Sequence, residues 1–388
     1  MHRSPLFGRR IHISGSIDKD PAVAKATDVE ASREFVAALV KRLGKLGANF
    51  VVPVDGEPHR EVDGLPICFD WLIWESIRDA HTQRPSGIPG PMAVAVQHHK
   101  TKDQIPPEYV DLWDELCAGS MVRLENASHW NMAAKRMEAQ ARNGDILITL
   151  GGTDGVLYLA NLYHEVGRPV VPLCLPLVGH SEGSRRLFDF GMTGDNSSRL
   201  FRIADGGSSH DAMNRIWWAE RDSLQKRVDS LVDLLEALER PRAFGVRLLA
   251  PNDPDFEDVQ NFFDTVVEPV MTEELGFQYA VIDGVQGYGH ARIDQDIFEK
   301  LHRSSFVIAD TTGSRPNCYL ELGYALGRRI PTMVTARENS ETPFDLKTYS
   351  AHHWKTGGTV KEKQRAFLEH WTAIQNRPPL VDAGGLIL

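Results

Sequence analysis

The apolar and polar positions fall into a repeating strand–helix rhythm. Arg10–Ser14 reads as a strand closed by Gly15-Ser16. From Asp28 to about Leu46 the pattern predicts a helix with Phe35, Ala38, Leu39, Leu43 and Leu46 on its apolar face and Gly47 as its stop. Phe50–Val54 is the next strand, and this strand–turn–helix–strand order calls for a parallel sheet. Phe69–Ile77 and Tyr109–Cys117 are predicted helical and Met92–Val96 extended, with long polar loops at 82–91 and 98–107 between them. An apolar run, Ile146–Leu150, enters Gly151-Gly152-Thr153-Asp154-Gly155. A helix from Val156 to about Val166 follows, then Gly167-Arg168-Pro169 and a strand at Val170–Leu173. Arg199–Ala204 reads as a short closing strand.

Asp211–Arg240 is predicted as one long helix ended by Pro241. Its apolar residues Trp217, Leu224, Val228, Leu231, Leu235 and Leu238 follow steps of three and four. Such a seam suits either a contact between subunits or docking on the preceding domain.

The rhythm then restarts. Strands are expected at Gly245–Ala250, Gln278–Ile282, Phe306–Ala309 and Ile330–Val334. Helices are expected at Phe256–Glu274 (which Pro269 must kink or interrupt), at Asp294–His302, around Leu320 and Tyr324, and at Lys361–Gln375. The fold class expected is α/β, with two doubly wound parallel-sheet domains, Rossmann-like and flavodoxin-like, joined by a long helix. The expected segments are 1–209, 210–241 and 242–388.

Composition narrows the picture. At 388 residues the chain exceeds one ordinary core. A net charge of −10 disfavours a general nucleic-acid surface, which needs clustered Lys and Arg. Cys68, Cys117, Cys174 and Cys318 lack the paired spacing of a zinc site or a disulfide framework. No apolar run has signal-peptide or membrane-spanning length. The expectation is a cytoplasmic chain with reduced thiols, no metal, and no membrane or nucleic-acid partner. His98-His99 does not alter this, because adjacent residues on an extended segment point to opposite sides.

Two stretches carry chemistry. In the first half, Gly151, Gly152 and Gly155 let backbone approach a ligand, and the helix that follows offers unpaired N–H groups to a phosphate. In the second half, Asp310 ends a buried strand and Glu321 opens the next helix, so two carboxylates belong to the carboxyl edge where α/β sheets place ligands. Cleaving a ribose–base bond develops positive charge on the sugar, which a carboxylate at C1′ stabilises or attacks. Asn317 offers both donor and acceptor to sugar hydroxyls. Pro251, Asn252 and Asp253 are expected to form the opposite wall, with Tyr288, Gly289 and His290 over the base.

Ile11-His12-Ile13-Ser14-Gly15-Ser16, Leu150-Gly151-Gly152-Thr153-Asp154-Gly155 and Gly167-Arg168-Pro169-Val170-Val171-Pro172-Leu173 resemble the SLOG superfamily of Rossmann-like nucleotide binders over roughly residues 10–190. That resemblance implies a nucleotide site at Ser14, Gly15, Ser16, Gly151, Gly152, Thr153, Asp154 and Gly155. The helix carries Leu157, Leu159 and Ala160 where the family's catalytic Glu is expected, so sensing rather than cleavage is implied. Similar domains in bacterial immune proteins bind nucleotides derived from NAD, such as ADP-ribose or cyclic ADP-ribose.

Residues 244–355 resemble the nucleoside 2-deoxyribosyltransferase-like and TIR-like group. The carrying stretches are Val307-Ile308-Ala309-Asp310-Thr311-Thr312, Arg315-Pro316-Asn317-Cys318-Tyr319-Leu320-Glu321-Leu322-Gly323-Tyr324-Ala325 and Ile330-Pro331-Thr332-Met333-Val334. In that group the Asp, Asn and Glu line the site and the Glu is catalytic, which implies Asp310, Asn317 and Glu321 here. Together the resemblances imply a nucleotide-regulated N-glycosidase acting on NAD or a related nucleotide in antiphage defence. It would need no cofactor and would form a homo-oligomer through the 211–240 helix. A non-catalytic nucleotide-sensing scaffold and a deoxyribosyltransferase are the alternatives.

Overall fold

The computed structural model describes residues 4–88, 90–98, 104–119, 121–127, 132–281, 293–313, 315–340, 346 and 349–375. It divides into two compact units, residues 1–239 and 240–388.

The first unit is built from β1 (Arg10–Ser16), α1 (Ala26–Lys45), β2 (Asn49–Val54), α2 (Asp70–His81), β3 (Ala93–His98), α3 (Val110–Ala118), β4 (Val122–Ala127) and α4 (Met132–Asn143). It continues through β5 (Ile146–Gly151), α5 (Asp154–Glu165), β6 (Val170–Leu173), α6 (Gly183–Met192), α7 (Ser197–Leu200), α8 (Ser209–Arg215) and α9 (Leu224–Ala237). The strands order as β4-β3-β2-β1-β5-β6, all parallel, and the winding reverses between β1 and β5. A parallel sheet covered on both faces explains why all six residues of β5 are buried. On α1, Val29, Phe35, Val36, Leu39, Val40 and Leu43 recur at helical spacing and enter the main core. Trp71 stacks on Tyr109 with ring centroids 4.6 Å apart, and Trp74 meets Trp113 edge-on at 5.4 Å. Both buried indoles find backbone acceptors at the end of β2: Trp71 Nε1 donates to Asp55 O at 2.9 Å and Trp74 Nε1 to Pro53 O at 3.1 Å.

The single helix expected over 211–240 is two helices. α8 ends at Arg215, and α9 starts afresh at Ser223, whose hydroxyl caps Lys226 N. Between them Trp217 is 63 % exposed. The seam of α9 lies within the unit, since Val228, Leu231, Leu235 and Leu238 belong to the same core as α1. Docking on the preceding domain is therefore the arrangement observed for these four residues. β4 and α4 were not anticipated, and the closing strand expected at 199–204 is instead α7 plus one bridge, Ile203 to Leu238.

The second unit runs β7 (Arg242–Val246), α10 (Phe256–Phe262), β8 (Gln278–Val281), α11 (Ile293–His302), β9 (Phe306–Asp310), α12 (Pro316–Gly327), β10 (Thr332–Arg337), β11 (Ala351–Trp354) and α13 (Val360–Ile374). Its parallel sheet has the order β11-β10-β9-β7-β8, the flavodoxin-like arrangement, with the switch between β7 and β9. β7 ends at Val246, earlier than expected. Pro269 does not stop the helix it follows. α10 continues through two wider π turns, Phe263–Val267 and Val270–Glu274, whose i→i+5 bonding relieves the demand for the missing prolyl N–H. Phe244, Val246 and Val307 pack on Leu322 and Ala325 of α12, while Phe263, Val266 and Phe367 fill the other face.

Because Leu231 is fully buried in the first core, Leu231→Ala should lower the free energy of unfolding by about 2–5 kcal/mol in chemical denaturation. A loss of only a few tenths would show that α9 does not dock there.

Candidate functional sites

Each sheet presents polar side chains at the carboxyl edge of its switch point. At the first, Ser14, Gly15 and Ser16 of β1 lie in register with Thr149, Leu150 and Gly151 of β5. The approach leaves no room for side chains, because a Cβ on Gly15 would stand 1.7 Å from the Leu150 carbonyl oxygen. Gly151 and Gly152 take positive φ, 58° and 71°, and Gly152 N–H donates to Ser16 O at 2.8 Å. Gly183 at the start of α6 presses on this turn; a Cβ there would meet Gly152 O at 2.0 Å. Ser184 fixes α6, its hydroxyl donating to Thr149 O at 2.7 Å and accepting from Leu173 N at 3.0 Å. The expected glycines thus divide by role. Gly15, Gly151 and Gly152 make the turn close on itself. Thr153 and Asp154 are exposed, and α5 begins without a side-chain cap; Val156 N donates to Thr153 O at 3.0 Å, so among the described residues it is the N–H groups of Asp154 and Gly155 that face an anion.

The structure also brings to this edge residues that motif spacing did not single out. Asp55 and Glu57 follow β2, and Asp70 opens α2. Cys68 bridges backbone to backbone with Ser16. Arg136 of α4 pairs with Asp55 at 2.5 Å, and its neighbour Met137 comes within 3.3 Å of where a Cβ on Gly155 would sit. Burial raises Asp70 to about 7, opposed by Arg136 and helped by Asp55 and Glu57. Burial likewise raises Glu57 and pushes the Cys68 thiol up to about 12. The one sequence signal was Asp55-Gly56-Glu57 directly after a strand of the βαβ opening.

At the second switch point, Asp310 is 1 % exposed and turned into the sheet. Its Oδ2 accepts from Trp354 Nε1 at 2.8 Å and Thr335 Oγ1 at 2.7 Å, and its Oδ1 from Thr312 N at 3.0 Å. Burial raises its pKa, and these donors work against the shift. Asp310 therefore pins β9, β10 and β11 together and shapes the turn after β9.

Glu321 is half-buried on α12, and burial raises it to about 7. Among the described residues it has no hydrogen-bond or ion-pair partner. Asn317 lies exactly one i, i+4 step before it, exposed on the same side of the helix. Cys318, between them in sequence, is buried with its thiol pushed up to about 12, by desolvation first and then by the charges of Glu321 and Asp310. It behaves as a packed thiol rather than a nucleophile. Tyr324 is held by His302 Nδ1 at 2.9 Å and by Phe298.

On the opposite wall Pro251 and Asn252 are exposed, but Asp253 is committed. Its carboxylate pairs with Arg315 and accepts from Asp255 N at 2.9 Å, tying the loop after β7 to the turn after β9. Tyr288 and Gly289, with His290, lie outside the described residues. Among the described residues no three His, Cys, Asp or Glu side chains gather to hold a metal, and no helix is long and apolar enough to cross a membrane.

With this geometry in view, comparison with known proteins is informative for the first unit. The model of the family described as ATP nucleosidase Cap17-like, N-terminal, matches residues 6–235, more than half of the chain. The chain belongs to the Cap17-like family. The Cap17-like region takes in the whole glycine-turn edge, including Glu57 and Asp70, and ends within α9. The matching model stops at residue 235, so the deoxyribosyltransferase-like and TIR-like character expected of residues 244–355 lies beyond it. No curated protein matches the chain. Among solved structures the chain is similar to TM1055, a structural-genomics target, at 16 % identity. That match covers 47 % of this chain and 81 % of that one, with a TM-score of 0.29.

Asp310→Asn puts an amide NH₂ against one of three buried donors. It should cost about 1–3 kcal/mol in denaturant unfolding, whatever its effect on activity.

Proposed function

We propose that this chain is a nucleotide-regulated N-glycosidase, with Glu321 as its catalytic carboxylate and the base–ribose bond of an adenine nucleotide, ATP or NAD, as its target. The observation that carries the proposal is a half-buried Glu321, without a partner among the described residues, one helical turn beyond Asn317 and beside the carboxyl edge at the β7–β9 switch. The Cap17-like family's description as an ATP nucleosidase supports this bond type and puts ATP first among substrates.

As C1′–N cleaves, positive charge grows on the sugar, and ionised Glu321 stabilises it or bonds to C1′. Asn317 holds sugar hydroxyls through its amide. Asp310 acts as a positioning residue through the turn it pins. The glycine turn of the first unit takes the regulatory nucleotide, with ADP-ribose and cyclic ADP-ribose as the first candidates, and antiphage defence is the proposed setting. No cofactor enters the scheme. One observation favours a non-catalytic nucleotide-sensing scaffold instead: Asp310 is spent on internal donors, so the edge does not offer two free carboxylates.

Adenine and nicotinamide release from ATP and NAD, with deoxynucleosides in parallel, decides between these. Glu321→Gln should lower release at least 100-fold, roughly the scale for a lost catalytic carboxylate. Release that survives the substitution, or is absent under every condition, removes the enzymatic role of this site.

The pH dependence has a defined sign. The working form is ionised, so wild-type activity should rise as pH passes about 7. Stability runs the other way. A carboxyl raised from 4.5 to about 7 by folding stabilises fully below 4.5, and that contribution is lost as pH rises through 7. Thermal melts should therefore show Glu321→Gln gaining on wild type above neutral pH.

For the regulatory site, calorimetry with ADP-ribose and cyclic ADP-ribose should show binding that Gly152→Glu abolishes, since Gly152 has φ of 71° and no space for a side chain. A wild-type chain without affinity for either ligand would remove these two from the regulatory role.

A further inference from the structure

Arg247 of the second unit carries donors that the fold leaves unused. It is the first residue after β7, and its side chain is only 9 % exposed. Its Nε and Nη1 are shielded from solvent, and among the described residues neither makes a hydrogen bond. Its contacts are looser. The guanidinium carbon lies 5.8 Å from the centre of the Phe263 ring, and Nη1 stands 3.8 Å from Oδ1 of Asp264, a side chain 49 % exposed. That separation is too long for a hydrogen bond, so the pair is a charge contact only. Guanidinium donors left unmade where water is excluded cost free energy, and such groups persist where a ligand uses them.

A second donor lies open on the same side of the sheet. Tyr279 of β8 stands in register with Ala243, yet its hydroxyl lies over Gly245, where a Cβ would collide with it. The ring therefore leans toward the carboxyl edge and toward Arg247, which continues the face lined by Ala243 and Gly245. The hydroxyl is buried and has no partner among the described residues. Burial raises its pKa and keeps it an O–H donor; Arg247 opposes that shift, while Glu268 and Asp264 add to it. The facing wall is the π turn Phe263–Val267. Phe263 touches both donors' surroundings, since a Cβ on Gly245 would meet its Cε1 at 3.2 Å and Arg247 covers its ring. Such widened turns inside helices are frequent at functional sites.

We infer that Arg247 and Tyr279 form a phosphate subsite at the carboxyl edge of β7, with Asp264 holding the cation until an incoming phosphoryl group displaces it. The chemistry selects this ligand. A planar guanidinium donates through more than one nitrogen to phosphoryl oxygens, and the phenol supplies a further donor. Asp264 competes from a half-exposed position through a contact that water and salt weaken. The subsite stands whether or not Glu321 cleaves a nucleotide. Beside that reading, it gives the second unit a means of preferring a phosphorylated ligand to a bare nucleoside.

The test is calorimetry on the full-length chain with inorganic phosphate at constant ionic strength, chloride replacing phosphate in the control. Wild type should bind phosphate. Arg247→Met should weaken that binding roughly tenfold or more, the scale of a hydrogen bond to a charged group, and Tyr279→Phe should weaken it less. Asp264→Asn should tighten it, because the competing charge is gone; a merely structural contact between Arg247 and Asp264 gives no such gain. If Arg247→Met does not fold, as its thermal transition will show, Tyr279→Phe and Asp264→Asn carry the comparison, and affinity unmoved by both overturns the proposal. A wild-type chain that binds no phosphate overturns it, and so does binding that persists unchanged in folded Arg247→Met, which then lies elsewhere in the chain. Competition separates the sources of the group. AMP that displaces phosphate where adenosine does not assigns the subsite to a nucleotide, and phosphate that neither displaces assigns it to the free ion. Displacement by adenosine equal to that by AMP overturns phosphate recognition.

Discussion

The first carboxyl edge depends on how closely β1, β5 and α6 approach through glycine. Gly15 lies where a Cβ would strike the Leu150 carbonyl, and Gly183 where one would strike the carbonyls of Gly151 and Gly152. No other residue type fits such contacts, so backbone rather than side chains fills the switch point. The polar side chains of the surrounding loops are then free to converge above it. Asp55, Glu57, Cys68 and Asp70 all belong to the connection from β2 to α2, and the bridge from Cys68 to Ser16 ties it to the end of β1.

The second unit meets the same topological constraint differently. Its switch point is closed by ionic and hydrogen-bonded ties rather than by glycine. Asp310 binds three donors from the turn after β9, from β10 and from β11, and Asp253 is paired with Arg315. Arg337 reaches Asp255 at 2.5 Å and Asp258 at 3.0 Å, fastening the end of β10 to the start of α10. With those carboxylates occupied, half-buried Glu321 has no hydrogen-bond or ion-pair partner among the described residues. Burial raises the pKa of both acids, but only Asp310 has hydrogen-bond donors that oppose the shift.

The sequence by itself determined the two doubly wound sheets, the turn at Gly151–Gly155 and the strand–turn–helix that sets Asp310 before Glu321. These features are local: continuous apolar runs, helical spacing and glycine stops are written within ten or twenty residues. The tertiary structure decided the rest. It broke the 211–240 segment at Trp217 and spent the seam of α9 on α1, because an apolar stripe does not record which surface it will meet. It turned Asp310 inward, because Thr335 and Trp354, 25 and 44 residues away in sequence, supply the donors. It also gathered Glu57 and Asp70 beside the glycine turn. No spacing rule links them to Gly152, since parallel strand order, set by burial of both sheet faces, is what makes them neighbours.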